Sequence, residues 1–156
     1  MNNRKVYISG EIVPEVDAKI SIFDSAVLLG DTVTESTRTF NFKPFKLDEH
    51  LERLYKSFKL TRIDPQMTIE EMKKVSLELL EINKDNYKAN EDCWLVHNIS
   101  RGHSITGGNP ALQVSKPTVM IYTQPMNLVS WAPFYRKGCH AVTPPTRMVP
   151  SQSLDA

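Results

Sequence analysis

Residues 46–57, KLDEHLERLYKS, decide how this chain is read. Leu47, Leu51, Leu54 and Phe58 fall at spacings of 4, 3 and 4, the apolar stripe of a helix packed on a core. At about 100° per residue, His50, Arg53 and Ser57 line up along one shoulder of that stripe. Glu49, Glu52, Lys56 and Lys59 take the opposite, wet face. Arg53 therefore stands at the edge of the buried side, where a guanidinium needs an anion. Taken alone, the pattern favours a snorkelling arginine with its stem packed and its head in water.

Upstream of this helix the chain reads as strands and turns. In VYISGEIVPEVDAKISIF (6–23) Val6 and Ile8 alternate with Tyr7, Gly10 marks a hairpin and Pro14 interrupts the second run. Gly30-Asp31 is a bend, Thr32, Val33 and Thr34 lead into the strand STRTF (36–40), and NFKP (41–44) turns the chain back. Downstream, Thr68 and Glu71 form a capping box just after Pro65, and Ile69, Met72, Val75, Leu79 and Ile82 carry a second helical stripe. CWLVHNISRG (93–102) reads as a strand ending at Gly102, HSITGGNPALQVSK (103–116) as a loop and PTVMIYTQ (117–124) as a buried strand. PMNLVSWAPFYRKG (125–138) reads as a linker, and CHAVTPP (139–145) as the first strand of something new.

The order is strands, two helices, strands, linker. It predicts an α+β domain over residues 1–125, an interdomain linker over 126–136 and the beginning of a second domain over 137–156. A strand with no partner strands is an edge that something must cover, so the chain is expected to be cut short.

Composition narrows the function classes. With 19 basic and 18 acidic residues the net charge is +1, which gives no electrostatic bias toward nucleic acid or acidic membranes. No apolar run approaches the roughly 18–20 residues of a membrane span, and the N-terminus lacks the apolar core of a secretory signal. Cys93 and Cys139 are isolated and suit a reducing cytoplasm. His50, His97, His103 and His140 have no partners at metal-ligand spacing, so no metal site is expected. There is no G-x-S-x-G elbow, and RGHSITGGNP lacks the lysine and spacing of a P-loop. Asp48, Glu49 and Glu52 read as helix-start and solvent-face acids.

The combination is more telling than its parts. Residues 3–60, NRKVYISGEIVPEVDAKISIFDSAVLLGDTVTESTRTFNFKPFKLDEHLERLYKSFKL, closely resemble the N-terminal domain of the class IV aminotransferases. These are the fold-type IV pyridoxal phosphate enzymes: branched-chain aminotransferases, D-amino acid transaminases, (R)-selective amine transaminases and aminodeoxychorismate lyase. The shared features run in order. They are a hairpin around Ser9-Gly10-Glu11, DAKISIFD (17–24), the turn at Gly30-Asp31, the strand with Glu35 and Arg38, the HLERL element, and SRG at 100–102.

The resemblance implies an antiparallel sheet with two helices, pyridoxal 5'-phosphate as cofactor, and Arg53 as the anchor of its phosphate. Forked guanidinium donors suit phosphate oxygens. It implies a substrate pocket lined by Leu29, Thr34, Arg38, Val96 and Asn98. It also implies that the lysine bonding the cofactor lies just beyond Ala156, so that no catalytic residue is expected in this chain and the 156-residue piece alone is expected to be inactive. Branched-chain aminotransferases resemble one another in an aromatic at the place of Thr34 and an arginine at the place of Val96, and both are replaced here. D-amino acid transaminases add an arginine and a histidine in the loop after SRG, where this chain has His103 but no second arginine. A small apolar residue at Val96 is similar to the (R)-amine transaminases. Arg38 is open to two readings, a trap for the substrate carboxylate or a strand arginine in a surface ion pair.

The function implied is transfer of an amino group between an amino acid or amine and a 2-keto acid, by a cytoplasmic homodimer. The alternatives are a lyase of the aminodeoxychorismate type and a non-catalytic domain that binds partners through its exposed edge.

Overall fold

The computed structural model describes residues 3–88, 91–103 and 116–146. Six strands form one antiparallel sheet: β1 (Lys5–Ile8), β2 (Glu11–Pro14), β3 (Thr32–Phe40), β4 (Lys43–Pro44), β5 (Cys93–Ser100) and β6 (Thr118–Pro125). Their order across the sheet is β2-β1-β6-β5-β3-β4. With the helices α1 (Ser25–Leu29), α2 (Leu47–Thr61), α3 (Ile69–Asn83) and α4 (Leu128–Lys137), the architecture is the expected α+β.

The hairpins close by one device used twice. Ser9 and Gly10 both have positive φ, as do Asn41 and Phe42, and each pair makes a two-residue connection whose twist matches the strands it joins. Gly10 takes φ +112°, which only glycine adopts without strain. At the far end of the sheet Gly102 is required on two counts. Its φ is +94°, and a Cβ there would lie 1.9 Å from the Lys116 carbonyl oxygen.

α2 and α3 cover one face of the sheet. α2 buries Leu47, Leu51, Leu54 and Phe58, the stripe expected of it. They join Leu95, Ile99, Val119 and Ile121 from the strands in one apolar core, each fully buried side chain contributing about 1.5–3 kcal/mol. α3 opens with the Thr68–Glu71 capping box, but it is turned from its expected phase. Met72 and Leu79 are buried as predicted, while Ile82 is 43% exposed and Ser76, Leu80 and Asn83 point inward. Hydrogen bonds satisfy the polar members. Ser76 Oγ meets His97 Nε2 at 2.7 Å, and the Asn83 carboxamide accepts from Lys5 N at 2.7 Å and donates to Lys5 O at 2.9 Å.

Residues Met1–Met126 form one compact unit and Asn127–Ala156 another. In the second unit the segment expected to be a linker carries α4. The helix is capped by the Asn127 side chain, which accepts from Ser130 N, and it continues through Pro133. Residues 139–145, expected to form a strand, are irregular. The expectations for residues 104–115 and for 147–156 lie outside the described residues.

Candidate functional site

β3 and β5 pair in register from Thr32↔Ser100 to Arg38↔Trp94, and alternation sorts their side chains onto two faces. Even-numbered positions face away from the helices. Thr34 stands opposite Asn98, Ser36 opposite Val96 and Arg38 opposite Trp94, and the same rows continue to Met120 and Tyr122 on β6. The structure thus brings together four of the residues predicted to line a substrate pocket: Thr34, Arg38, Val96 and Asn98. Leu29 stands apart from that register, 65% exposed in the last turn of α1.

The polar groups on this open face are turned outward by what holds them. The Thr32 hydroxyl donates to Asn98 Oδ1, so the amide nitrogen of Asn98 is left with no partner among the described residues. The Arg38 guanidinium lies 3.7 Å over the Phe40 ring, and its Nε donates to Thr39 O at 3.4 Å. Among the described residues it pairs with no carboxylate. Val96 is buried yet lies outside the apolar core under the helices, as its place on the opposite face requires.

Odd-numbered positions face the helices, and one of them is an acid. Glu35 is 6% exposed. Its Oε2 accepts from Arg53 Nε at 2.7 Å, and its Oε1 accepts from Arg53 Nη2 at 2.6 Å, His50 Nδ1 at 2.9 Å and the Ser36 N–H at 3.0 Å. Burial pushes this carboxyl up, but the hydrogen bonds from Arg53, His50 and Ser36 outweigh it and hold the pKa down at about 2. Arg53 is thus no arginine merely trailing into water, and His50 and Arg53 share a helix shoulder because both serve Glu35. Ser57, third on that shoulder, donates only to the Arg53 carbonyl. Strand alternation through Val33, Glu35 and Thr37 is the signal that Glu35 points inward. Sequence reasoning uses this residue for the family resemblance and misses its partners.

The cluster sits where β3 has little cover. β4 pairs only with Thr39 and Phe40, so the stretch before Arg38 is a free edge among the described residues. The Phe45 N–H reaches the Arg38 carbonyl on that side, and Ser36, two residues earlier, turns its N–H the same way, toward Glu35. Arg53 rises from α2 to this edge with its side chain 66% exposed. Glu35 takes the Nε and Nη2 side of the guanidinium. Nη1 has no partner among the described residues.

Arg101 locks the frame around this edge. Its Nε donates to Asp31 Oδ2 at 2.7 Å, while Nη1 reaches Arg62 O at 2.7 Å and Nη2 reaches Thr61 O at 2.9 Å. One side chain thereby ties the start of β3 to the end of the helix that carries Arg53. Behind Glu35, its cross-strand neighbour His97 is wholly buried, and burial pushes its pKa down to about 4. Ser76 gives its hydroxyl proton to Met72 O at 2.7 Å, so His97 Nε2 is the donor to Ser76, while the buried Nδ1 has no hydrogen-bond partner among the described residues.

Comparison with known proteins decides what kind of frame this is. The family model described as "Amino-transferase class IV" matches residues 32–155. The chain belongs to the class IV aminotransferases. A Methanocaldococcus jannaschii protein named, provisionally, as a branched-chain-amino-acid aminotransferase is 36% identical over 151 residues, covering 97% of this chain and 49% of that protein. A Staphylococcus epidermidis D-alanine aminotransferase is 32% identical over 120 residues, covering 77% of this chain and 41% of that one. Among solved structures, a T.th. branched-chain amino acid aminotransferase with pyridoxamine 5'-phosphate superposes with a TM-score of 0.69 at 25% identity, over 81% of this chain and 42% of that one. This class IV aminotransferase chain spans about half the length of the first relative and about two-fifths of the others.

Proposed function

We propose that the full-length protein is a pyridoxal phosphate-dependent transaminase, branched-chain-aminotransferase-like, which moves an amino group between an amino acid or amine and a 2-keto acid. Membership of the family supports the reaction class, and the solved relative carrying pyridoxamine 5'-phosphate supports the cofactor. The observation that carries the reading for this chain is the Arg53 guanidinium, fixed along one side by Glu35 while Nη1 keeps no described partner. That chemistry fits a phosphate, whose oxygens take forked, charge-assisted hydrogen bonds.

In this reading Arg53 holds the cofactor phosphate at the free edge of β3. The cofactor, when bound, supplies the electron sink that amino-group exchange needs. Glu35 moves no proton near neutral pH, because four donors already occupy it and its pKa is near 2. The open face takes the substrate. Arg38, free of any described carboxylate, receives a substrate carboxylate, Asn98 offers its amide N–H groups, and Thr34 and Val96 shape the space for the side chain, with Leu29 completing the lining. By the family resemblance the amine that bonds the cofactor comes from beyond Ala156, and the protein works as a cytoplasmic homodimer.

The test uses the protein as its native source makes it. Intact mass shows how far the chain extends, and borohydride reduction of the bound cofactor locates the lysine that carries it. Amino transfer that depends on an added 2-keto acid supports the transaminase. Turnover that needs no keto acid points to the lyase instead, and absence of bound cofactor overturns both.

A further inference from the structure

Arg53 is a long side chain with a largely exposed head, and such a group loses several rotamers before it can hold a ligand in one place. Glu35 is a buried acid with no task in the reaction just described. The geometry joins these two facts. Glu35 grips the guanidinium side-on, along Nε and Nη2 at 2.7 and 2.6 Å, and leaves the Nη1 end outward. His50 Nδ1 at 2.9 Å and the Ser36 N–H at 3.0 Å in turn fix the carboxylate, at the free edge of β3.

We propose that Glu35 is a positioning residue for cofactor phosphate: it clasps Arg53 from behind, so that the terminal edge of the guanidinium meets the phosphate already ordered. The proposal rests on the reading of Arg53 as the phosphate anchor. A second physical effect runs the other way, since a carboxylate near a phosphate repels it. The guanidinium stands between the two anions and the carboxylate is already neutralised by its donors, so ordering outweighs repulsion. The two effects give opposite signs on removal of the charge, which makes the proposal open to test.

The experiment compares binding of pyridoxal phosphate and of pyridoxal, the same ring without the phosphate, to the full-length protein freed of cofactor. Binding is read by absorbance or fluorescence. Glu35→Gln is expected to weaken pyridoxal phosphate binding about tenfold, the scale of a lost supporting contact, and to leave pyridoxal binding unchanged. Glu35→Asp, which keeps the charge, recovers part of the loss. Tighter or unchanged pyridoxal phosphate binding in Glu35→Gln overturns the proposal, as does an equal loss for both ligands, the mark of a merely structural role. Should Glu35→Gln not fold, His50→Ala loosens the same clasp. A severalfold loss confined to pyridoxal phosphate then supports the proposal, and equal losses overturn it. Arg53→Ala separates this from the reading beneath it. If that variant keeps the wild-type preference for the phosphorylated ligand, Arg53 is not the anchor. If it loses the preference while Glu35→Gln keeps it, the clasp alone is wrong.

Discussion

The two faces of β3 and β5 are built from alternate residues of the same two strands, yet they follow different rules. Under the helices, Glu35 is saturated by Arg53, His50 and Ser36, and His97 is tied to Ser76. On the open face the amide nitrogen of Asn98 and the charge of Arg38 meet no matching described partner. Burial penalises an unpaired charge most, and the closed face saturates the Glu35 carboxylate, while Thr37 Oγ1, His97 Nδ1 and Thr123 Oγ1 there have no hydrogen-bond partner among the described residues. In the proposed reading, the difference separates groups that hold the frame from groups available to a substrate, one residue apart along the chain.

The largest effect that tests this division is on stability. Leu95→Ala, under the helices and fully buried, is expected to cost about 2–5 kcal/mol. Thr34→Ala on the open face is expected to stay within about 0.5 kcal/mol. Urea unfolding of both variants checks the contrast, and similar losses would erase it.

Acid provides the next effect. His97 is neutral in the fold with its pKa lowered to about 4, so the unfolded chain binds the extra proton first as pH falls below the ordinary histidine value of 6.5. Stability should therefore be full above that value and fall by roughly 1.4 kcal/mol per pH unit down to about pH 4. Glu35 acts in a lower window. Its folded pKa of about 2 lies below the ordinary 4.5, so the stability it contributes is present above 4.5 and is lost as pH falls through 2. Thermal unfolding across pH should show both windows, and His97→Asn should flatten only the upper one. A smaller loss, about 1 kcal/mol, is expected from Thr68→Ala, which removes the cap of α3. Helicity and urea midpoint together read it.

Much of this is legible in the chain, and the misses share a physical cause. The stripe of α2 is readable because every buried position in it is apolar. The phase of α3 is not, because two of its inward residues, Ser76 and Asn83, are polar, with partners 21 and 78 residues away in sequence. No local pattern reveals such a partner. α4 resembles a linker in sequence because Pro133 signals a stop. A proline removes one backbone bond, and here the helix runs on from its Asn127 cap to a last turn with Arg136 and Lys137. Residues 139–145 are irregular, and no strand among the described residues pairs with them, as β-branched residues need in order to make a strand. In the site, alternation places Thr34, Arg38, Val96 and Asn98 on one face once the register is known. The helical phase puts Arg53 correctly at the edge of the buried side, while its carboxylate partner comes from a strand 18 residues earlier and has no local signature.

In the proposed division of labour, one edge of β3 serves the cofactor and the open face beside it serves the substrate. The most direct measurement is the steady-state kinetics of the full-length protein with Arg53→Lys and Arg38→Lys, each titrated separately with pyridoxal phosphate and with the amino donor. Lysine keeps the charge and loses the fork. Arg53→Lys is expected to raise the pyridoxal phosphate concentration needed for activity and to leave the donor KM unchanged once cofactor is saturating. Arg38→Lys is expected to raise the donor KM and to leave the cofactor requirement unchanged. If both variants move the same parameter, or each moves the other's, the division between the two regions is wrong.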